Sequence, residues 1–191
     1  MSKIYISSDF HLGHFNIISY TDRPFKTVDE MNDKIIKNTN DRVKKDDTLY
    51  HIGDFCFRNT PGGKKGEGQL TKAQQYENLI NSKIIFISGN HDSMNSCKTP
   101  IESIVIKLGG YRIKLVHNPK FADPLYNINL CGHVHNNWKI KYLSSQSVVI
   151  NVGVDVWKFM PIDINEILKL RAKFIRQYTF EDLHTREIRD I

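Results

Sequence analysis

Five short apolar runs in this chain each lead directly into residues of the kind that bind metals. The run IYISS (4–8) is followed by Asp9 and His11, LYHIG (49–53) by Asp54, and IIFISG (84–89) by Asn90, His91 and Asp92. Further on, IKLV (113–116) is followed by His117, and INLCG (128–132) by His133 and His135. Short runs rich in Ile, Val, Tyr and Phe read as strands. In open α/β sheets ligands bind beyond the carboxyl ends of the strands, so side chains at those ends converge although they lie far apart in the chain. The pattern therefore constrains fold and site together, because the strand ends must open on one shared pocket.

The segments between these runs set the fold class. Strand-like KIYIS (3–7), TLYHI (48–52) and KIIFIS (83–88) alternate with helix-like stretches at 27–43 and 70–82, the order of an α/β sheet. Thr27 followed three residues later by Glu30 marks a capping box, and Val28, Met31, Ile35 and Ile36 share one apolar helix face. From about residue 104 the runs SIVIKL, YRIKLVH, YNINLCG and SVVINVGV make the second half mainly sheet, before a last helix near DINEILKLRAKFIR. At 191 residues a single domain over 1–191 is expected, with a C-terminal helical tail at about 163–191. The Gly/Lys segment 59–69 reads as a surface excursion in preference to a substrate lid.

Apolar residues at 40% and charged residues at 25% are ordinary globular usage, which excludes a disordered or fibrous chain. No apolar stretch approaches the roughly 20 residues of a membrane span. Cys56, Cys97 and Cys131 are odd in number and form no CxxC pair, which suits free thiols in a reducing, cytoplasmic setting. A formal charge of +6 favours anionic partners without selecting among nucleotide, nucleic acid and phosphoprotein.

Taken singly, DxH, GD and GNH are weak signals. Together and in the order DxH…GD…GNHD…H…GHxH they make the chain resemble the calcineurin-like metallophosphoesterases, and NVGVDVW (151–157) is similar to small phage and bacterial members. The resemblance runs from Asp9 to His135 and implies an α/β fold in which a β-sandwich is flanked by helices. It also implies two divalent metal ions, one held by Asp9, His11, Asp54 and His135, the other by Asp54, Asn90, His117 and His133, with Asp54 bridging.

The donor types agree with that implication on their own chemistry. Imidazole with carboxylate suits manganese, the expected ion, or iron, zinc or nickel, whereas an all-oxygen set would suggest magnesium or calcium. Two dications against two carboxylates leave net positive charge, which attracts a phosphate group and lowers the pKa of a bridging water so that hydroxide attacks phosphorus in line. His91, with Asp92 beside it to fix its tautomer, is the candidate proton donor to the leaving group, and the resemblance assigns it the same role.

Arg58, four residues after Asp54, matches the GDxxxR of protein Ser/Thr phosphatases, although the second arginine of that group is Met94 here. His14, Asn16 and Arg23 follow the DxH turn closely enough to contact substrate. His51 is expected in the core or behind the ligands. Cys56 and Cys131 sit among apolar neighbours and are left out of the site.

The expected activity is a dinuclear-metal hydrolase, a phosphodiesterase acting on small phosphate esters or nucleotides. The alternatives are a phosphomonoesterase or protein phosphatase, a nuclease acting on nucleic acid, and a non-catalytic scaffold like the retromer subunit of this fold. The presence of His91 argues against the last.

Overall fold

Period-two alternation in the first strand sets the layering of the protein. The computed structural model describes residues 2–57, 70, 72–92 and 99–183. In β1 (Ile4–Ser7) the Ile6 side chain enters one buried cluster and Tyr5 another, as successive residues of a strand must. The same division holds in β2 (Thr48–Ile52), where Ile52 joins Ile6 and Leu49 joins Tyr5.

The first sheet has the order β3-β2-β1-β9. Strands β1, β2 and β3 (Lys83–Ile87) run parallel, and β9 (Ile162–Asp163) returns antiparallel to β1. The second sheet has the order β4-β5-β6-β8-β7. Its members are β4 (Ser103–Leu108), β5 (Tyr111–Val116), β6 (Ile128–Cys131), β7 (Ile140–Ser144) and β8 (Ser147–Asn151). Within it β5, β6 and β8 are mutually parallel, while β4 and β7 run antiparallel at the edges.

One core joins the two sheets. Ile6, Ile52 and Ile87 from the first pack with Ile113, Leu115, Ile128, Leu130, Val148 and Ile150 from the second. The outer face of the first sheet is covered by α2 (Val28–Arg42) and α3 (Ala73–Glu77) through Val28, Met31, Ile35, Ala73 and Tyr76. Thr27 caps α2 by accepting the Glu30 N–H at 3.1 Å, as its sequence signature requires. The result is a mixed α/β architecture of two sheets flanked by helices.

The C-terminal helix α4 (Ile164–Gln177) is more than a tail, because Ile164, Ile167 and Phe174 are buried in the inter-sheet core. Helix α3 is shorter than the 70–82 stretch that its composition suggests: it stops at Asn78, and Ile80 reaches the core from the loop beyond. Strands β7 and β9 and the single turn α1 (Ile17–Tyr20) have no counterpart in the sequence pattern. Among the described residues no helix is long and apolar enough to cross a membrane.

Parallel register delivers three chain segments to one edge. Ser7 pairs with His51, and His51 with Phe86, so the loops after β1, β2 and β3 leave the first sheet side by side. Leu115 pairs with Leu130 and Cys131 with Asn151, which brings the ends of β5, β6 and β8 together in the second sheet.

Candidate functional site

The loops at that edge adopt a costly backbone. Asp9, His11, Asp54, His133 and His135 all have positive φ, at 58°, 51°, 58°, 71° and 47°. For a residue with a side chain that conformation costs about 1–2 kcal/mol, so it persists only where surrounding bonds enforce it. Here Asp9 donates its N–H to Gly53 O at 3.1 Å, and His11 donates to Asp54 O at 2.9 Å. The His133 N–H in turn donates to both Asp9 carboxylate oxygens, at 3.1 and 3.0 Å.

These turns gather seven side chains from both sheets. His11 Nε2 lies 3.9 Å from Asp9 Oδ1 and 3.6 Å from Asp54 Oδ2, and His117 Nε2 lies 3.4 Å from Asp54 Oδ2. Asn90 Oδ1 is 2.9 Å from His117 Nε2 and 2.8 Å from His133 Nδ1. Candidate donor atoms of Asp9, His11 and His135 lie within 4.8 Å of one another, as do those of Asp9, Asp54 and His117. The two triads share Asp9, while the Asp54 carboxylate stands between His11 and His117.

The donor set fits cations. His11 is fully buried, and neither of its ring nitrogens has a hydrogen-bond partner. Such burial carries a desolvation cost that a cation between Nε2 and the two carboxylates would remove. His117 Nδ1 is 2.8 Å from Ile52 O and His135 Nδ1 is 3.1 Å from Asp155 Oδ2. Each of those contacts occupies the outer nitrogen and leaves Nε2 for the cleft, the arrangement metal-binding histidines use.

Protonation follows burial and neighbouring charge. Burial pushes the Asp9 carboxyl up and holds the His11 imidazole well below its usual range, which favours the neutral ring with one nitrogen lone pair available. Burial also opposes ionisation of Asp54, but the hydrogen bond and charge of His117, with His11 and the His91 N–H at 3.0 Å, hold its carboxyl well below the usual range. The Asp155 hydrogen bond raises His135 against the lowering effect of its burial.

Two glycines make room for the carboxylates. A Cβ at Gly132 would stand 2.0 Å from Ser8 Oγ and 2.3 Å from Asp9 Oδ2, and one at Gly89 would stand 2.3 Å from Asp54 Oδ1. Any side chain at either position displaces a carboxylate of the cluster.

Two residues have contacts other than those anticipated, and a third enters the site without any anticipation. Asp92 follows His91 in sequence, yet its carboxylate accepts backbone N–H groups from Gly89 at 2.8 Å, Asp54 at 2.9 Å and Phe55 at 3.3 Å. It clasps the β2 and β3 loops together, because the turn at 89–92 folds its side chain back under the backbone. Arg23, expected at the pocket mouth, is only 4% exposed. Its guanidinium is consumed by Asp155 (Nε to Oδ1 2.8 Å, Nη2 to Oδ2 3.0 Å) and by the carbonyls of Asp9 at 2.7 Å and Phe10 at 3.0 Å. Asp155 was not anticipated at all: it joins Arg23 to His135, and its only sequence signal is its place in NVGVDVW. Asn151 of the same segment holds the His135 loop by donating to His135 O at 2.7 Å and Trp138 O at 2.8 Å.

Two grooves, each of about 520 Å³, open on either side of the cluster. One is lined by His11, His14, Asn16, Tyr20, Phe57, His91 and His135, so the expected contacts His14 and Asn16 do face it. The other is lined by Asn90, His117, Glu102, Lys114, Lys120 and Phe121. His51 is buried among Phe10, Phe55 and Phe86, behind the cluster, and Cys131 is buried with its thiol pushed up by desolvation. Arg58, Met94, Cys97 and the 59–69 segment lie outside the described residues.

Residues 2–159 match the family model described as the calcineurin-like phosphoesterase superfamily domain. An uncharacterised protein of Methanocaldococcus jannaschii is 36% identical over 192 residues, covering 96% of this chain and 99% of that one. Among solved structures, a protein of unknown function from Aquifex aeolicus aligns with a TM-score of 0.63 at 24% identity, over 89% of this chain and 100% of its own. An archaeal protein described as a novel phosphodiesterase aligns with a TM-score of 0.40 at 19% identity, over 79% of this chain and 83% of its own. The match over most of the sequence, on a two-sheet scaffold whose strand ends gather aspartates, histidines and an asparagine, makes this chain a member of the calcineurin-like phosphoesterase superfamily.

Proposed function

We propose that the protein is a metal-dependent hydrolase of phosphodiester bonds in small or nucleotide-type substrates. The reading rests on one observation above all. Two buried carboxylates, Asp9 and Asp54, meet His11, His117, His133, His135 and Asn90 in a cleft where a buried imidazole has no protein partner. Asp9, His11, Asp54 and His135 would hold one divalent ion, and Asp54, Asn90, His117 and His133 a second, with manganese the favoured metal. Bound there, the pair supplies neutralisation of phosphate charge and activation of water.

The protein's own residues do the rest. The Asp54 carboxylate, which accepts the His91 N–H, fixes the backbone that carries the His91 imidazole into the first groove. From there His91 donates a proton to the departing ester oxygen, which would otherwise leave as an unstable alkoxide. Asp92 acts as a positioning residue through its three backbone contacts. His14 and Asn16 contact the substrate from the groove wall. A groove on each side of the cluster accommodates two ester substituents, which favours a diester over a monoester.

The test is hydrolysis by the Mn²⁺-loaded protein of bis-p-nitrophenyl phosphate against p-nitrophenyl phosphate. A higher kcat/KM on the diester is expected. Faster turnover of the monoester would give the activity to the phosphomonoesterase class, and no turnover of either would leave a binding scaffold.

A further inference from the structure

The groove on the His91 side is built for something flat. His14 and Phe57 stack in it at 3.9 Å between ring centroids and 11° between planes, which makes a rigid aromatic wall. Tyr20 stands nearly perpendicular to His14, with centroids 6.2 Å apart and planes at 80°. Tyr20 is nonetheless 71% exposed, and Phe15 is also exposed. An exposed aromatic ring at the rim of a candidate active site is a stacking face that the protein itself leaves uncovered.

The groove also carries unspent polar atoms. His14 is 7% exposed, and its Nδ1 is buried with no hydrogen-bond partner. Asn16 sits at the N-cap of α1, yet its side chain makes no capping bond, so its amide is available to face the groove that it lines. Apolar, aromatic walls with a few convergent polar groups are the usual composition of a small-molecule pocket. The opposite groove differs, since Lys114, Lys120 and Glu102 make its lining charged.

We infer that this groove is a subsite for a nucleobase: the leaving arm of the diester places its base on the Tyr20 ring, with His14 and Asn16 bonding to the base edge. The inference rests on the phosphoesterase reading and narrows its substrate to nucleotide diesters with the base on the His91 side. Base–aromatic stacking tolerates any base, because every base has a π-face, so Tyr20 selects for planarity rather than for sequence. His14 and Asn16 supply whatever preference among bases exists.

The experiment is calorimetric titration of the Mn²⁺-loaded full chain with adenosine 5′-monophosphate and with ribose 5-phosphate, which share a phosphate and differ by the base. The nucleotide is expected to bind at least about tenfold more tightly, the scale of one base–aromatic stack. Tyr20→Ala should bring the two ligands within about twofold, and Tyr20→Phe should keep the difference; with so exposed a ring, neither change disturbs folding. Equal affinities in the unmodified protein, a preference that survives Tyr20→Ala, or no nucleotide binding would each overturn the subsite. Hydrolysis of bis-p-nitrophenyl phosphate by the same preparation reports separately on the phosphoesterase reading. Turnover without base preference sinks the subsite alone, and base binding without turnover sinks the activity alone.

Discussion

Asp155 Oδ2 lies 3.1 Å from Nδ1 of His135, and the same carboxylate is fixed from its other side by Arg23. This contact sets which nitrogen of His135 faces the cleft and raises its basicity. Asp155→Asn should therefore weaken metal binding by about 10–100-fold, with a loss of stability alongside because the buried Arg23 loses its counter-charge. Competition for Mn²⁺ against a chelator of known affinity measures this. Unchanged metal affinity would reduce the pair to a packing contact.

His91→Ala should lower kcat on a diester with an alkoxide leaving group, such as a dinucleoside monophosphate, by about 10²–10⁴-fold, the usual contribution of a positioned acid. Its effect should be far smaller on bis-p-nitrophenyl phosphate, whose p-nitrophenolate departs without a proton. Asp54→Asn should remove activity to a similar or greater extent through loss of metal. Circular dichroism separates these effects from unfolding, and full turnover in either folded variant would refute the assigned roles.

Treatment with EDTA should abolish hydrolysis, and added Mn²⁺ should restore it. The same cycle should move the melting temperature, since an ion that binds only the folded chain stabilises it by an amount that grows with the logarithm of the free ion concentration above its Kd. A melting temperature indifferent to EDTA and Mn²⁺ would argue that the cluster binds no ion.

His51 gives a stability effect whose sign is fixed. Its folded pKa is depressed from 6.5 to about 3 by burial among three phenylalanines, so between those values the unfolded chain takes up a proton that the folded chain refuses. Stability contributed by the neutral ring is complete above pH 6.5 and is lost as pH falls toward 3. His14, lowered to about 4, acts in the same direction. In EDTA, His51→Phe should make the stability of the protein less steep in acid by about 1.4 kcal/mol per pH unit. Urea unfolding at several values between pH 6 and 4 would detect it, and parallel curves would contradict the buried neutral state.

Gly132→Ala tests the packing of the cleft. The added methyl meets the Asp9 carboxylate and the Ser8 hydroxyl well inside van der Waals contact. Metal affinity should fall more than global stability does, because the nearest groups that can yield are side chains of the site. Equal metal affinity in the variant would mean that the loop relaxes without moving Asp9.

The clustering of the candidate ligand residues was legible because each follows an apolar run that reads as a strand, and parallel pairing brings the strand ends together. Helix α2 was legible from its cap and its apolar face. What escaped was tertiary. Asp155 lies 20 residues from His135 and 132 from Arg23, and no local pattern marks it as partner to both. Asp92 was assigned to His91 on adjacency, but the turn directs its carboxylate to the backbone of Asp54 instead. Arg23 was expected to contact substrate because its place after the DxH turn carries no sign of the buried carboxylate it pairs with. Strand β9, two residues long, leaves no periodicity to read.

The cluster straddles a seam. Asp9, Asp54 and Asn90 leave one sheet, His117 and His133 leave the other, and the bond from His133 to Asp9 joins residues 124 positions apart. An ion seated there would act as a rivet between sheets that also meet through the apolar core and through the Arg23–Asp155 pair. Its withdrawal would then be felt first at the cleft mouth, while each sheet keeps its own hydrogen-bonded ladder.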